Sequence, residues 1–281
     1  MKPHRLILWG ALLLLALFFL LPLYVMLATS FKSMDEVRNG GLLSLPQALD
    51  LAAWGKAWGT ACTGMQCGGL KPYFWNSVAM VVPAVAISTA LGALNGYVLT
   101  QWRFRGSELL FALLLFGVFM PMQVVLLPMS QVLGQLGLAD HLAGLVLVHV
   151  LAGLPSTTLF FRNYYLGVPG ELLKAAQLDG AGFWTFFWRV LLPLSGPIAV
   201  VTVIWQFTAI WNDFLYGAVF SGFDNKPITV GLNNLANTSS SVKEYNVDMA
   251  GALIAALPTL AVYVLAGKYF VRGLTAGAVK G

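Results

Sequence analysis

Six stretches of this sequence are long and apolar enough to cross a lipid bilayer, at about 6–29, 74–99, 109–134, 142–161, 194–219 and 249–270. A helix rises 1.5 Å per residue, so roughly 20 residues span about 30 Å of hydrocarbon. Only 10% of the 281 residues are charged and 58% are hydrophobic. An ordinary soluble domain carries about 25% charged residues. The runs are continuous rather than alternating, and too long for the strands of a membrane barrel. The expected fold class is therefore all-α, a polytopic protein with six transmembrane helices. Pro22, Pro83, Pro121, Pro128, Pro155 and Pro258 lie inside these runs. They do not exclude helices, because neighbouring helices satisfy a carbonyl freed by a kink. Gly92 and Gly96 put a small-residue face on the second run, suited to close helix packing. The first run is longer than the roughly 7–15 residues of a signal-peptide core, and no small-residue cleavage site stands out after it. It reads as a retained first helix.

Orientation follows from the basic residues. With the N terminus inside, the inner segments hold Lys2, Arg5, Arg103, Arg105, Arg162, Lys174, Arg189, Lys268, Arg272 and Lys280, ten in all. The outer segments hold six: Lys32, Arg38, Lys56, Lys71, Lys226 and Lys243. Positive residues gather near cytoplasmic loops, so both termini are expected inside. The fifth run, with Asn212 and Asp213 within it, is where an odd span count would hide. The expected organisation is an inner tail and first span (1–29), an outer loop (30–73), and a core of five spans (74–281) with a cytoplasmic segment at 162–193. The net charge of +5 is scattered, with no basic stripe interleaved with aromatics, so nucleic acid is not an expected partner.

Cys62 and Cys67 fall in the first outer loop, an oxidising space under this topology. A disulfide between them and two unpaired thiols are both open readings. The spacing is not that of a Cys-x-x-Cys redox motif, and no histidine accompanies the pair. His4, His141 and His149 stand in three separate contexts, so no metal site is expected. His149 reads as a residue hydrogen-bonding between helices. No Ser-His-Asp or Cys-His arrangement suggests an enzyme. For contact with a solute, the notable cluster is Trp211, Asn212 and Asp213, since an ionisable residue inside a span usually faces protein or a water-filled cavity. The competing reading is an aromatic belt at the membrane surface. Gln123, near Pro121 and Pro128, is either a polar pore group at a helix break or packed against another helix. Met80, Met120 and Met122 read as packing residues.

The longest inner segment is RNYYLGVPGELLKAAQLDGAGFWTFFWRVLLP, residues 162–193. Pro169 and Gly170 precede Glu171, a sensible helix start with an acid in its first turn. Asp179-Gly180 marks its end. A second short helix then carries Phe183, Trp184, Phe186, Phe187 and Trp188. This elbow is aromatic and nearly uncharged, so it must bury surface against something. Lipid headgroups and a partner protein both suit it.

The segment resembles the coupling motif of ATP-binding cassette importer permeases, in the carbohydrate branch. That motif reads Glu-Ala-Ala, three residues, Gly, then a hydrophobic stretch ending in Leu-Pro. Here Lys174-Ala175-Ala176 is followed by Gln177-Leu178-Asp179, Gly180, and Leu192-Pro193 at the expected interval. Lys174 stands where the family usually has Glu, with Glu171 one turn earlier. The resemblance covers nearly the whole chain, including Trp211-Asn212-Asp213-Phe214 and the ending Gly273-Leu274-Thr275, Gly277-Ala278 and Lys280-Gly281. It implies the second permease subunit of a sugar importer. Gly231–Leu235 and Tyr245–Met249 resemble the glucose/mannose importers.

The resemblance implies that Glu171, Lys174, Ala175, Ala176, Asp179, Gly180, Phe183 and Trp184 couple the chain to a cytosolic ATPase. It implies partners: a second related permease, two copies of the ATPase, an extracytoplasmic sugar-binding protein, the sugar and membrane lipid. The chain has no Gly-x-x-x-x-Gly-Lys-[Ser/Thr] phosphate cradle. It is thus expected to bind no cofactor itself, with ATP and Mg2+ used by the ATPase partners. The expected location is the bacterial inner membrane. Two other classes lack their signatures: an ion-driven carrier would want paired acids inside spans, and an enzyme acting on lipid-linked sugars would want a convergent acid, histidine or metal cluster.

Overall fold

Apolar runs of this length have no water to satisfy their backbone, so they close their hydrogen bonds internally as helices. The computed structural model describes residues 3–64, 66–102, 104–238 and 243–278, without the side chains of residues 3, 6 and 268–278. Lys2, Arg103, Lys280 and Gly281 of the sequence reading lie outside the described residues, as do the side chains of Lys268, Arg272 and 273–278. In chain order the helices are α1 (Pro3–Ser30), α2 (Met34–Asn39), α3 (Ala52–Gly59), α4 (Lys71–Thr100), α5 (Ser107–Phe119), α6 (Met122–Gln135) and α7 (Leu142–Leu166). Then follow α8 (Gly170–Leu178), α9 (Phe183–Phe186), a π turn (Phe187–Leu191), α10 (Leu192–Leu194), α11 (Gly196–Trp211), α12 (Leu215–Phe220), α13 (Ile228–Asn237) and α14 (Tyr245–Ala278). The fold is all-α.

Four helices cross the length needed for a bilayer unaided: α1, α4, α7 and α14. The other two expected spans are bent. The run 109–134 is not one straight helix but α5 and α6, set at 108°. Pro121 causes the break. It lacks an N–H and pushes the preceding residue out of the helical region, and Met120 is extended at φ −70°, ψ 125°. Pro22, Pro83, Pro128, Pro155 and Pro258, by contrast, stay inside helices. The fifth run divides at Asn212–Phe214 into α11 and α12. The segment Phe183–Leu194 meets α11 at 77°.

The chain forms two compact units. The first comprises Met1–Phe74 with Val230–Leu257. There Lys32 is buried, and its Nζ donates to the Gly41 carbonyl (3.2 Å) and Ser44 Oγ (3.0 Å). Asn246 Nδ2 donates to the Lys32 carbonyl at 3.0 Å. Cys62 and Cys67 are joined by a disulfide, and the Gly64 N–H donates to Thr238 Oγ1 at 2.8 Å. Most of α1 is exposed, with Leu14, Phe18 and Phe19 facing outward, a surface for lipid or another chain.

The second unit comprises Trp75–Thr229 with Pro258–Gly281. Its α4 and α7 approach closely because Gly92 and Gly96 have no side chain. A Cβ on Gly92 would sit 2.6 Å from Thr157 Oγ1, and one on Gly96 would sit 2.8 Å from Phe161 Cβ. This is the small-residue packing typical of membrane helices, where close van der Waals contact does much of the holding.

Candidate functional site

The elbow after α7 is built by local code. Pro169 (φ −59°) leads into α8, and Glu171 places a negative charge in its first turn, favoured by the helix dipole. Gly180 ends it in the left-handed region at φ +80°. The Ala181 N–H reaches back to the Ala176 carbonyl at 2.8 Å, and the Gly180 N–H to that of Gln177 at 3.0 Å. These two bonds make a Schellman cap. A Cβ on Gly180 would meet nothing within 4 Å, so the constraint there is backbone conformation and not space.

Helical spacing then sorts the aromatics onto two faces. Phe183, Phe186, Phe187 and Leu191 turn inward onto Ala93, Tyr97, Phe161 and Tyr165. The Phe183 ring lies 4.7 Å from that of Tyr97 and 5.4 Å from that of Trp102. Phe183, expected on the docking face, therefore serves the chain's own packing, because it shares a face with 186 and 187. Three tyrosines and a serine fix the elbow to the bundle. Tyr97 Oη donates to the Phe183 carbonyl (3.2 Å), Tyr164 Oη to that of Leu194 (2.7 Å), and Ser195 Oγ to Tyr165 Oη (2.9 Å). Trp184 and Trp188 point outward, 57% and 59% exposed, and Leu178 is 89% exposed. Glu171, Lys174, Ala175 and Asp179 share this exposed side, while Ala176 is half-buried.

A second site lies deeper in the same unit. Parts of α5, α6, α7, α11 and α12 line a partly open cavity of about 370 Å³. Its apolar lining includes Gly117, Val118, Met120, Met122 and Met129. Its polar lining is His149 and Ser156 on α7, Gln206 on α11, and Asp213. Gly153 is bare where Gln206 crosses, and Gln206 Nε2 donates to Ser88 Oγ on α4 at 3.0 Å. Asp213 caps α12, accepting the Tyr216 N–H (3.4 Å) at Oδ1 and the Gly217 N–H (3.0 Å) at Oδ2. His149 Nε2 stands 3.8 Å from Asp213 Oδ2, beyond hydrogen-bond distance.

Of the four residues expected along a solute path, the cavity gathers one, Asp213. Trp211 is buried at 2% exposure and stacks on Phe207 at 5.6 Å, away from the cavity and from any surface belt. Asn212 and Gln123 are exposed and do not line it. Met120 and Met122, read as packing residues, do line it. Sequence reasoning also passed over Gln206 and underused His149. Spacing signalled only one pair: 149 and 156 are seven residues apart and share a face of α7, whereas 206 lies on α11 and 213 beyond its end. Among the described residues no group of His, Cys, Asp or Glu is arranged to hold a metal ion.

Comparisons with known proteins agree on the class. The profile of the binding-protein-dependent transport system inner membrane component family matches residues 76–274. A probable ABC transporter permease protein of Pyrococcus horikoshii, PH1216, is 49% identical over 180 residues, covering 64% of this chain and 65% of that one. The xylose/arabinose import permease protein XacI of Haloferax volcanii is 31% identical over 278 residues, covering 92% and 87%. In three dimensions the chain resembles a subunit of a bacterial ABC transporter involved in importing alginate. The TM-score is 0.79 at 22% identity, over 96% of this chain and 98% of that one. An all-α set of apolar helices with an exposed capped elbow and a cavity among them, matched by this profile over most of its length, makes the chain a non-catalytic membrane permease subunit of the binding-protein-dependent transport system inner membrane component family.

Proposed function

We propose that the chain is one of two membrane-spanning halves of an ATP-driven sugar importer. The exposed elbow carries this reading: the apolar side chains of Leu178, Trp184 and Trp188 stand exposed on a segment tied to the bundle by tyrosine hydrogen bonds. Such a patch, outside the spans, needs a protein to cover it. In the proposed assembly a second related permease completes the path and two cytosolic ATPase subunits receive the two elbows. An extracytoplasmic sugar-binding protein delivers the solute. The ATPases use ATP and Mg2+, and this chain binds neither. Both termini face the cytoplasm of a bacterial inner membrane, following the basic residues. Closure of the ATPases moves the elbow, and through Phe183, Phe186 and Phe187 the helices α4 and α7, of which α7 lines the cavity. The two sites are thereby coupled, each favoured in one state of the bundle. The sugar proposed is glucose or mannose, on the likeness of Gly231–Leu235 and Tyr245–Met249 to importers of that type. Relatives named for pentoses support the broader sugar reading.

The test is Trp184→Ala, alone and with Leu178→Ser, in the co-expressed complex. Both side chains are exposed, so the fold changes little. Loss of a buried interfacial Trp costs about 2 kcal/mol or more. Binding of the ATPase should therefore weaken about 30-fold or more, with sugar-stimulated hydrolysis lost. Unchanged assembly together with unchanged hydrolysis would remove the coupling role.

A further inference from the structure

The cavity wall holds a polar atom for which the fold itself supplies no partner. His149 is 4% exposed, lines the cavity, and its Nε2 makes no hydrogen bond. A buried ring nitrogen left so is costly, and such groups are normally satisfied by protein, water or a ligand. The nearest acceptor, Asp213 Oδ2, is 3.8 Å away. That oxygen already takes the Gly217 N–H at 3.0 Å, and a carboxylate oxygen accepts more than one bond. The gap is too wide for a direct bond; a hydroxyl oxygen about 2.8 Å from each would sit to one side of the line joining them, and the imidazole must turn slightly to admit it, because Nε2 has almost no accessible surface. A hydroxyl there accepts from the Nε2–H tautomer of His149 and donates its own proton to Asp213. Asp213 is held by its bonds to α12, and the His149 ring meets that of Tyr216 edge-on with centroids 5.7 Å apart.

We infer that His149 and Asp213 form a clamp for one hydroxyl of the transported solute, and that the cavity accepts neutral polyhydroxylated molecules in preference to acidic ones. The charge of the walls supports the second half. The described lining has one carboxylate and no Lys or Arg. An anionic sugar would bring its charge beside Asp213 with no cation in the described lining to offset it. Met120, Met122 and Met129, also in the lining, offer apolar surface to the face of a pyranose ring. The inference rests on the sugar-import reading and assigns that reading's solute contact to named atoms.

The experiment uses the assembled transporter without its sugar-binding protein, so that selection by that receptor plays no part. Saturation-transfer NMR is recorded with D-glucose, D-mannose, D-xylose and D-glucuronate as probes. At least one neutral sugar should bind, with D-glucuronate at least tenfold weaker. His149→Leu should weaken the bound sugar about three- to tenfold, the loss expected for one neutral hydrogen bond. His149→Gln, which returns an amide near the same place, should recover most of it; a merely structural role would not follow that order. Glucuronate binding as tightly as the neutral sugars would overturn the inference, as would sugar binding unaffected by His149→Leu. So would the absence of binding by any neutral probe. In that last case uptake of the same sugars by vesicles carrying the complete transporter tells the two readings apart. Uptake retained leaves the import function standing without this clamp, and uptake absent for every sugar removes the import reading itself.

Discussion

At the scale of single residues, Gly180 shows how much one backbone angle decides. At φ +80° a β-branched side chain costs about 1–2 kcal/mol, while asparagine tolerates the region far better. No neighbour crowds the position. Gly180→Val should therefore reduce ATP-dependent uptake by the complete transporter several-fold, and Gly180→Asn should keep most of it. Equal damage from both would mean that the site needs space and not conformation. Gly180 and Glu171 were readable in the sequence because caps and first turns are local chemistry. The division of labour between Phe183 and Trp184 was not. Adjacent aromatics look alike in a sequence, and only the positions of Tyr97 and Trp102 decide which one turns inward. Asp213 stood out as an acid in an apolar run, whereas its partner His149 lies 64 positions earlier and is brought beside it by folding.

Among the helices, the α4–α7 contact carries the elbow. Tyr97 on α4 and Phe161 and Tyr165 on α7 form the bed for Phe186 and Phe187, and Gly96 sets how near the two helices come. Replacing Gly96 with Leu would press on the Phe161 side chain and the Arg162 backbone, a cost of about 1–3 kcal/mol for overpacking. The detergent-unfolding midpoint should fall, whereas Gly10→Leu on the exposed α1, where a Cβ meets nothing, should leave it unchanged. Equal midpoints for the two variants would show that this contact does not hold the bundle. Hydropathy marked where helices lie, since burial from water needs only composition. It did not mark which prolines break them. Pro121 ends α5 while Pro155 sits within a continuous α7, because a freed carbonyl depends on what packs beside it. The short helices α2, α3 and α13, in segments expected outside the membrane, also escaped, being too brief to show a clear period.

For the molecule as a whole, the proposed orientation places Leu178 and Leu49 on opposite sides of the membrane. Both side chains are well exposed, and the two native cysteines are bonded to each other, so an introduced thiol is the natural target of a maleimide. Leu49→Cys should react with a membrane-impermeant maleimide in intact cells, and Leu178→Cys only after permeabilisation. Reaction of Leu178→Cys from outside would reverse the topology and leave the elbow without a cytosolic motor. Six hydrophobic runs made the membrane class plain from composition. The cavity was not, since its walls come from five helices whose facing no single run reveals.

The gap between α5 and α6 has a consequence for how a solute is kept wet. A helix of 13 residues is about 20 Å long, a shaft that stops well short of the roughly 30 Å oil layer. Its final four carbonyls find no amide further along their own helix, and Gly117 and Val118, among them, sit at the cavity wall. Carbonyls left without an amide are natural partners for water. Under the proposed import function, a molecule rich in hydroxyls passing them would trade hydration water for these acceptors a few at a time.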